Sequence, residues 1–443
     1  MKSRLVISLA LLLWCFHCAA FGQNKTAGQL DGRWYLTFDL PDSIYKSAVA
    51  FKVETGGAVK TANLGEPLLF LDGGTIDGNQ LKLSGKSAYG NVTITADLAG
   101  DKISGKWSLG FVGGAMSGER EPADKPKTNY SSVFERTWKT FDEKFYDPNF
   151  NGVDWRGIGD KYRPLIAKIA DDAEFINTMR QMLKELKVSH VGFYYSPFEN
   201  VITAKKSVAA ENAASFQPLT WKKISPEIGY LQIKEFTESA EAVASVDRAF
   251  AELGDAPNLV IDLRGNTGGT LSVAMRLGDF LFDKPTPVGF FATREGLKRN
   301  KVDSMDKLNA AKLPVYSGYK LDDFWASMDK NGAVAIISGG RAPKTYRGKV
   351  VILINERCAS TTEAFVAVVK EMNLATLVGT KTRGAVLSAV SEKTVGDWLV
   401  RYPKADYRTA RGKRIEGAGV EPHVAAEKNK ELEIALQTLK KPN

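Results

Sequence analysis

Histidine and cysteine are the scarce residues of this chain: 443 residues hold 3 of each. The first segment accounts for part of that small stock. MKSRLVISLALLLWCFHCAAFGQ carries Lys2 and Arg4, an apolar stretch from Leu5 to Phe16, and a small-residue end with Ala20 and Gly22 at minus 3 and minus 1. That is the layout of a secretory signal cleaved after Gly22. The alternative, an uncleaved anchor, has an apolar stretch short of the about 20 residues a membrane span needs. A lipid-attachment site is weaker still, because Cys15 follows Trp14 and Cys18 follows His17 rather than a small residue. Cleavage leaves one cysteine, Cys358, and two histidines, His190 and His423, and lowers the net charge from +9 to +7.

Each shortage excludes something. One thiol cannot form an intramolecular disulfide, so an exported chain of this kind must be stable through packing alone. Three Cys and His residues cannot supply the four ligands of a structural zinc site, and nothing in the sequence supports a carboxylate-rich metal site. If histidine serves as a general base, two candidates exist. No later segment has the length and apolarity of a membrane span, so no stable span is expected after signal cleavage.

What is present is ordinary for a globular protein: 44% hydrophobic and 25% charged residues. The 60 Lys+Arg against 51 Asp+Glu are spread along the whole chain, which is not a nucleic-acid patch. The length suggests about three domains at roughly 100 to 200 residues each. From about Gln29 to Arg120, glycine-rich sequence alternates apolar and polar residues, as in Trp34 to Phe38, Leu81 to Leu83, Val92 to Thr95 and Lys106 to Leu109. Turn signals DGG (72–74), DGN (77–79) and AGD (99–101) separate these runs, predicting a small antiparallel barrel or sandwich over 29–121. A linker with Pro122 and Pro126 follows. Phe134, Trp138, Phe141 and Phe145 then share one helix face, and Ile176, Met179, Leu183 and Leu186 share another, predicting a helical cap segment over 129–200. Over 201–440 strands and helices alternate, predicting an α/β core. The excursion from about Lys284 to Arg347 is expected to build clefts or lids.

Two strand ends could carry chemistry. LVIDLRGNTGG (259–269) runs from an apolar strand into a turn with Gly265, Gly268 and Gly269, where backbone amides can approach a ligand. The lysine and hydroxyl of a phosphate loop are missing after it, so an oxyanion hole fits better than a nucleotide site. VVILINERCASTTE (350–363) places Ser360 between a strand and a helix, where the dipole and the unpaired Thr361 amide favour negative charge. The plainer alternative is a helix cap, with Ser360 and Glu363 forming a capping box. Cys358, at the end of an apolar strand, reads as a buried inert thiol rather than a nucleophile.

Together these segments resemble the C-terminal-processing (tail-specific) serine peptidases and their relatives, the tricorn core protease and the interphotoreceptor retinoid-binding protein modules, over about Asn129 to Lys440. LVIDLRGNTGG is similar to the family's oxyanion-hole turn, and ILINERCASTTEAF to its nucleophile turn, with Ser360 at the place of the catalytic serine. VGTKTRGA and IEGAGVEPH resemble two further signatures. The family usually has a serine where Cys358 stands and an aspartate where His423 stands; neither departure removes a catalytic group. The resemblance implies a ClpP/crotonase-like α/β core, a serine endopeptidase acting on protein or peptide substrates through an acyl-enzyme, and no metal or organic cofactor; the signal segment implies a periplasmic or extracellular location.

One branch of the family pairs its serine with a lysine just after the T-x-G turn, but Ala385 occupies that place here. Lys381, before the turn, is the remaining lysine alternative. The tricorn-like branch implies instead a tetrad of Ser360, His190, Ser189 and Glu416, drawn from KVSHVGF and RIEGAGVEP, with the oxyanion held by amides at Gly268 or Gly269 and at Thr361. A PDZ domain, typical of the processing branch, does not fit the 33 residues between Tyr195 and Gly229. The rival class is a non-catalytic ligand- or peptide-binding protein on the same fold, and an esterase is a weaker alternative.

Overall fold

The structure is a computed structural model that describes residues 29–41, 43–66, 68–87, 90–110, 112–199, 201–204 and 218–440. The expected signal segment, 1–22, lies outside the described residues.

Alternating burial drives the first domain. Strands β1 (Gly32–Asp39), β2 (Ser43–Val53), β3 (Ala58–Asn63), β4 (Leu69–Asp77), β5 (Gln80–Ser87), β6 (Gly90–Ala99), β7 (Lys102–Leu109) and β8 (Val112–Arg120) pair antiparallel in the order β1-β8-β7-β6-β5-β4-β3-β2. A β1–β2 pairing closes the ring into an eight-stranded barrel. The inward residues, among them Trp34, Leu36, Leu81, Ile94 and Trp107, form one apolar core. DGN and AGD are hairpin turns as expected, with Gly78 at φ 56° and Gly100 at φ 60°. DGG is not a turn: Asp72, Gly73 and Gly74 lie inside β4 at a bulge opposite β5. A Cβ on Gly74 would meet Lys82 O at 1.9 Å, so these glycines allow a close crossing of two strands.

Helices α1 (Tyr130–Lys144), α2 (Trp155–Ile166) and α3 (Asp172–Lys184) follow, each N-capped by a side chain: Asn129, Asp154 and Asp171. Their aromatic faces form a second core in which Phe141, Phe145, Trp155 and Phe175 pack together with Trp398. Helix α2 has a weak sequence signal, with Gly157, Gly159 and Pro164 inside it. After α3 the chain turns through Ser189 and His190 into β9 (Gly192–Tyr195) and β10 (Ile202–Ala204); β10 adds to the barrel beside β2.

The remaining chain builds two sheets. The first contains β11 (Leu219–Ser225), β12 (Ile228–Ile233) and, after α4 (Ala240–Leu253), β13 (Asn258–Asp262). The chain continues through α5 (Leu271–Leu281), β14 (Thr286–Thr293), α6 (Arg294–Arg299), β15 (Val315–Tyr316), α7 (Leu321–Asn331) and β16 (Ala333–Ser338). It returns to the first sheet with β17 (Lys349–Ile354) and, after α8 (Thr361–Glu371), β18 (Thr376–Gly379). Strands β19 (Ser388–Lys393), β20 (Trp398–Arg408) and β21 (Val424–Ala425) and helix α9 (Glu431–Lys440) complete it. The first sheet runs β11-β12-β13-β17-β18-β21, parallel from β12 onward. Its central strands β13, β17 and β18 are buried on both faces, as a parallel sheet between helices requires. Leu259, Ile261, Ile352 and Ile354 face one core, and Val260, Val351 and Leu353 face the core under α9.

The second sheet runs β15-β16-β14-β20-β19, with β9 joined to β20. The 284–347 excursion therefore contributes strands to a sheet as well as helix α7. Its loops are tied to buried Asp279, which accepts from Arg341 Nε at 2.9 Å, Gly339 N at 3.2 Å and the Tyr319 hydroxyl. Among the described residues no helix is long and apolar enough to cross a membrane.

Candidate active site

The site lies where β13 and β17 end. Ser360 begins α8 with φ 58° and ψ −127°, a conformation a non-glycine residue adopts only when its surroundings hold it there. The holding groups are visible. Ser360 N donates to Ala385 O at 2.7 Å, and Ala359 N donates to Asn266 O at 3.2 Å. The Ser360 side chain makes no capping hydrogen bond. Of the capping-box alternative the serine half is therefore missing, while the Glu363 carboxylate stays beside the Ser360 backbone and also serves the turn at 382–385. It is fully buried and accepts from Thr382 Oγ1 at 2.5 Å, Gly384 N at 2.6 Å and Ala385 N at 2.6 Å. Burial pushes its pKa up, while these donors act in the opposite direction. Glu363 thus fixes the turn that receives the Ser360 amide.

Asn266 does the same on the other side. Fully buried, it donates Nδ2 to Ile233 O at 3.1 Å and accepts at Oδ1 from Gly268 N and Thr362 Oγ1, both at 2.9 Å. It therefore staples the glycine turn to the first turn of α8. Gly268 has φ 98°, and a Cβ there would lie 2.7 Å from Ser360 Cβ and 3.0 Å from Thr361 N. Its own amide is committed to Asn266. The amides of Gly269 and Thr361 have no partner among the described residues, and Thr361 Oγ1 donates to Gly269 O at 2.7 Å.

Ser189, His190 and Glu416 are brought together. Glu416, buried, accepts from Ser189 N at 2.7 Å, Ser189 Oγ at 2.9 Å and Val386 N at 2.9 Å. Ser189 Oγ is also 2.7 Å from His190 Nδ1. The serine has one hydroxyl proton and gives it to Glu416, so Nδ1 must carry the proton of the second bond. That tautomer leaves the Nε2 lone pair available. Desolvation, and then the charges of Arg401 and Arg383, push the His190 pKa down to about 4, so the ring is neutral at pH 7. His190 sits at φ 59°, a second strained non-glycine position.

The other candidates are placed elsewhere. Lys381 is exposed and paired with Glu421 at 3.1 Å. His423 Nδ1 accepts from Leu377 N at 2.9 Å, a structural contact between strand ends. Cys358 is buried and donates to Leu263 O at 3.1 Å, and burial pushes its thiol up to about 12. Among the described residues no group of three or more His, Cys, Asp or Glu side chains is arranged to hold a metal ion.

A mainly apolar pocket with a cavity volume of about 100 Å³ opens beside Ser360. Leu271 and Met275 of α5, Phe291 of β14, Phe324 of α7, and Ala364 and Phe365 of α8 line it. The pocket was not read from sequence. Phe291 and Phe324 belong to the excursion whose local pattern gave only an exposed cleft or lid.

Residues 227–426 match the model of Peptidase family S41, and residues 126–184 match the Tricorn protease C1 domain. Ser360, Glu416 and the glycine turn fall inside the first match; Ser189 and His190 lie just beyond the second. The chain is 25% identical over 211 residues to the carboxy-terminal-processing protease of Bartonella bacilliformis, covering 46% of this chain and 40% of that protein. It is 32% identical over 65 residues to a tricorn protease homolog of Streptomyces coelicolor, 15% of this chain and 6% of that protein. The chain thus spans less than half the length of these curated relatives. A solved structure from Parabacteroides merdae shares the fold, with TM-score 0.53 at 18% identity, over 72% of this chain and 98% of that one. The chain carries a Peptidase family S41 domain with a Tricorn protease C1 domain ahead of it.

Proposed function

We propose that the protein is a serine endopeptidase that hydrolyses peptide bonds through an acyl-enzyme on Ser360, with His190 as general base. One observation carries the reading. The Ala385–Val386 peptide group accepts the Ser360 N–H at its carbonyl and donates its own N–H to Glu416, which in turn holds Ser189 and through it His190. Nucleophile and base are thereby referenced to one rigid unit.

His190 Nε2 takes the hydroxyl proton of Ser360 as Oγ attacks the scissile carbonyl carbon. The resulting oxyanion is stabilised by the unpartnered amides of Gly269 and Thr361, aided by the N-terminus of α8. Gly268 contributes room rather than a donor, because its amide serves Asn266. The imidazolium is stabilised through Ser189 by the Glu416 carboxylate. It then returns the proton to the leaving amine as the C–N bond breaks. Water then gives a proton to the same Nε2 as its oxygen attacks the ester carbonyl; the acyl C–Oγ bond breaks and the imidazolium returns that proton to Ser360 Oγ, releasing the acid product. The apolar pocket suits a bulky apolar side chain on the acyl side of the bond.

The finer family assignments belong to this reading too. The parallel run β12-β13-β17-β18 with helices on both faces supports a ClpP/crotonase-like core, and the short passage from Tyr195 to Gly229 supports a chain without a PDZ domain. The amino-terminal sequence supports export. The domain limits 29–121, 129–200 and 201–440 belong to this reading, with β10 (Ile202–Ala204) crossing back onto the barrel and β9 onto β20. Incubating a peptide library with the protein and with Ser360→Ala tests the activity: cleavage by the first and none by the second is expected, and equal cleavage by both would sink the assignment. The apolar pocket also suits a non-catalytic ligand-binding protein; failure of a fluorophosphonate to label folded protein at Ser360 would favour that second reading.

A further inference from the structure

We infer that the β-barrel is a positioning element for His190, acting through strand β9. This rests on the proposed role of His190 and extends it to residues far from Ser360. The strand is four residues long and begins two residues after a histidine held at φ 59°. A left-handed non-glycine residue is kept in place by its neighbours rather than by its own preference. On one side β9 pairs with β20, Gly192 opposite Arg401 and Tyr195 opposite Trp398. Barrel residues and helix α3 supply other partners.

Tyr195 N donates to Leu64 O, just past β3, at 2.7 Å. Arg180 of α3 bridges the two, donating to Asn63 O at 2.9 Å and to Phe193 O at 3.3 Å. Arg401, whose charge reaches His190, is held by Glu66 of the β3–β4 connection at 2.7 Å. Further on, Lys46 of β2 donates its amide to Val201 O at 2.8 Å, and β10 joins the barrel edge.

The strongest grip is at the barrel exit. Glu121 accepts from the Tyr195 hydroxyl at 2.5 Å, the Tyr35 hydroxyl at 2.6 Å and Arg33 at 3.2 Å. Arg33 stacks over the Tyr195 ring at 4.4 Å and also holds Asp172 at the start of α3. Lys125 donates to Asp397 in the β19–β20 turn at 2.6 Å. Charged hydrogen bonds in a half-buried setting are geometrically demanding, so the cluster fixes the far end of β9 in direction as well as in place. The barrel thus grips the far end of β9 directly and its near end through Arg401, which lies opposite Gly192 and is held by Glu66; Glu121 and Tyr195 are its positioning residues.

The test compares Glu121→Gln, Tyr195→Phe and the surface variant Glu66→Gln with the parent protein. It reads kcat and KM on one peptide, the rate of fluorophosphonate labelling at Ser360, thermal stability, and amide hydrogen exchange over residues 187–195. The expected result for Glu121→Gln and Tyr195→Phe is a fall in kcat and in labelling rate of about ten- to a hundredfold, as for a misplaced catalytic group. KM should stay within about twofold, and exchange over 187–195 should quicken at temperatures where the fold is intact. Glu66→Gln, which leaves the exit cluster whole, should show the smaller effect. Unchanged kcat and exchange beside a lowered melting temperature would reduce the barrel to a stabilising role and overturn the inference; so would a rise in KM alone. If the parent protein neither cleaves nor labels, the catalytic reading fails by itself, and exchange decides the rest: faster exchange upholds the grip on β9 and unchanged exchange removes it.

Discussion

Ser360 and Glu416 bind opposite ends of the same peptide group: Ser360 N–H donates to Ala385 O at 2.7 Å, and Val386 N–H donates to Glu416 Oε2 at 2.9 Å. A peptide unit is planar and stiff, so the serine turn and the carboxylate that orients Ser189 cannot drift independently. Glu363 fixes the same turn from behind through Gly384 N and Ala385 N.

Every group facing the Glu416 carboxylate is a donor. Glu416→Gln puts an amide NH2 where one of them donates, leaving a buried donor without an acceptor at a cost of about 1–3 kcal/mol. The variant should be less stable, and kcat should fall with little change in KM, because Ser189 loses its reference and His190 its stabilising charge. Denaturant unfolding and steady-state kinetics on one sample check both effects.

The pH response follows from His190. The unfolded ring takes up a proton near 6.5, whereas the folded ring resists protonation down to about 4. The unfolded state therefore binds more protons in that window, and this contribution to stability, complete above pH 6.5, is lost as the pH falls from 6.5 toward 4. kcat/KM should likewise stay level through pH 6.5 and fall only at lower pH. Arg383→Gln should raise the acid limb by removing one of the two cations. A limb at 6.5 in the parent protein would contradict the assigned environment.

Much of the site was legible in sequence because each motif sits where a strand ends and a turn must expose its backbone. Ser360, His190, Ser189 and Glu416 were identified by resemblance, and the structure places the last three in one hydrogen-bonded group. Glu363 was misjudged and Asn266 passed over, since many of their partners lie far along the chain: Thr382, Gly384 and Ala385 for Glu363, and Ile233 and Thr362 for Asn266. The local helix signal at Glu363 pointed to a cap instead. Local pattern gave four of the eight barrel strands, β1, β5, β6 and β7, and the first and third helices. It misplaced the DGG turn, because a glycine pair that permits strand crossing looks the same as one that reverses the chain. The pocket was invisible because the residues that line it are spread from Gly269 to Tyr407.

Gly268 tests the packing behind the nucleophile. Gly268→Ala would drive a methyl group to 2.7 Å from Ser360 Cβ and force a residue with a side chain to φ 98°. Displacing the serine should lower kcat on the order of a hundredfold. Gly265→Ala strains a backbone of φ 77° with nothing within 4 Å of the new methyl, so it should cost stability more than turnover. Parallel kinetics and melting curves separate the two.

Ala364→Phe should fill the apolar pocket from helix α8. Cleavage after bulky apolar residues should fall relative to cleavage after small ones, while fluorophosphonate labelling of Ser360 persists. A cleavage profile that keeps its preference would place substrate recognition elsewhere.

The central claim, that His190 is the base held for Ser360 through Ser189 and Glu416, is tested most directly by kcat/KM for peptide hydrolysis in His190→Ala and Lys381→Ala. The account predicts a loss of at least about a thousandfold for His190→Ala and near-parent activity for Lys381→Ala, whose ammonium is paired with Glu421 at the surface. Loss of activity in Lys381→Ala with retention in His190→Ala would contradict it.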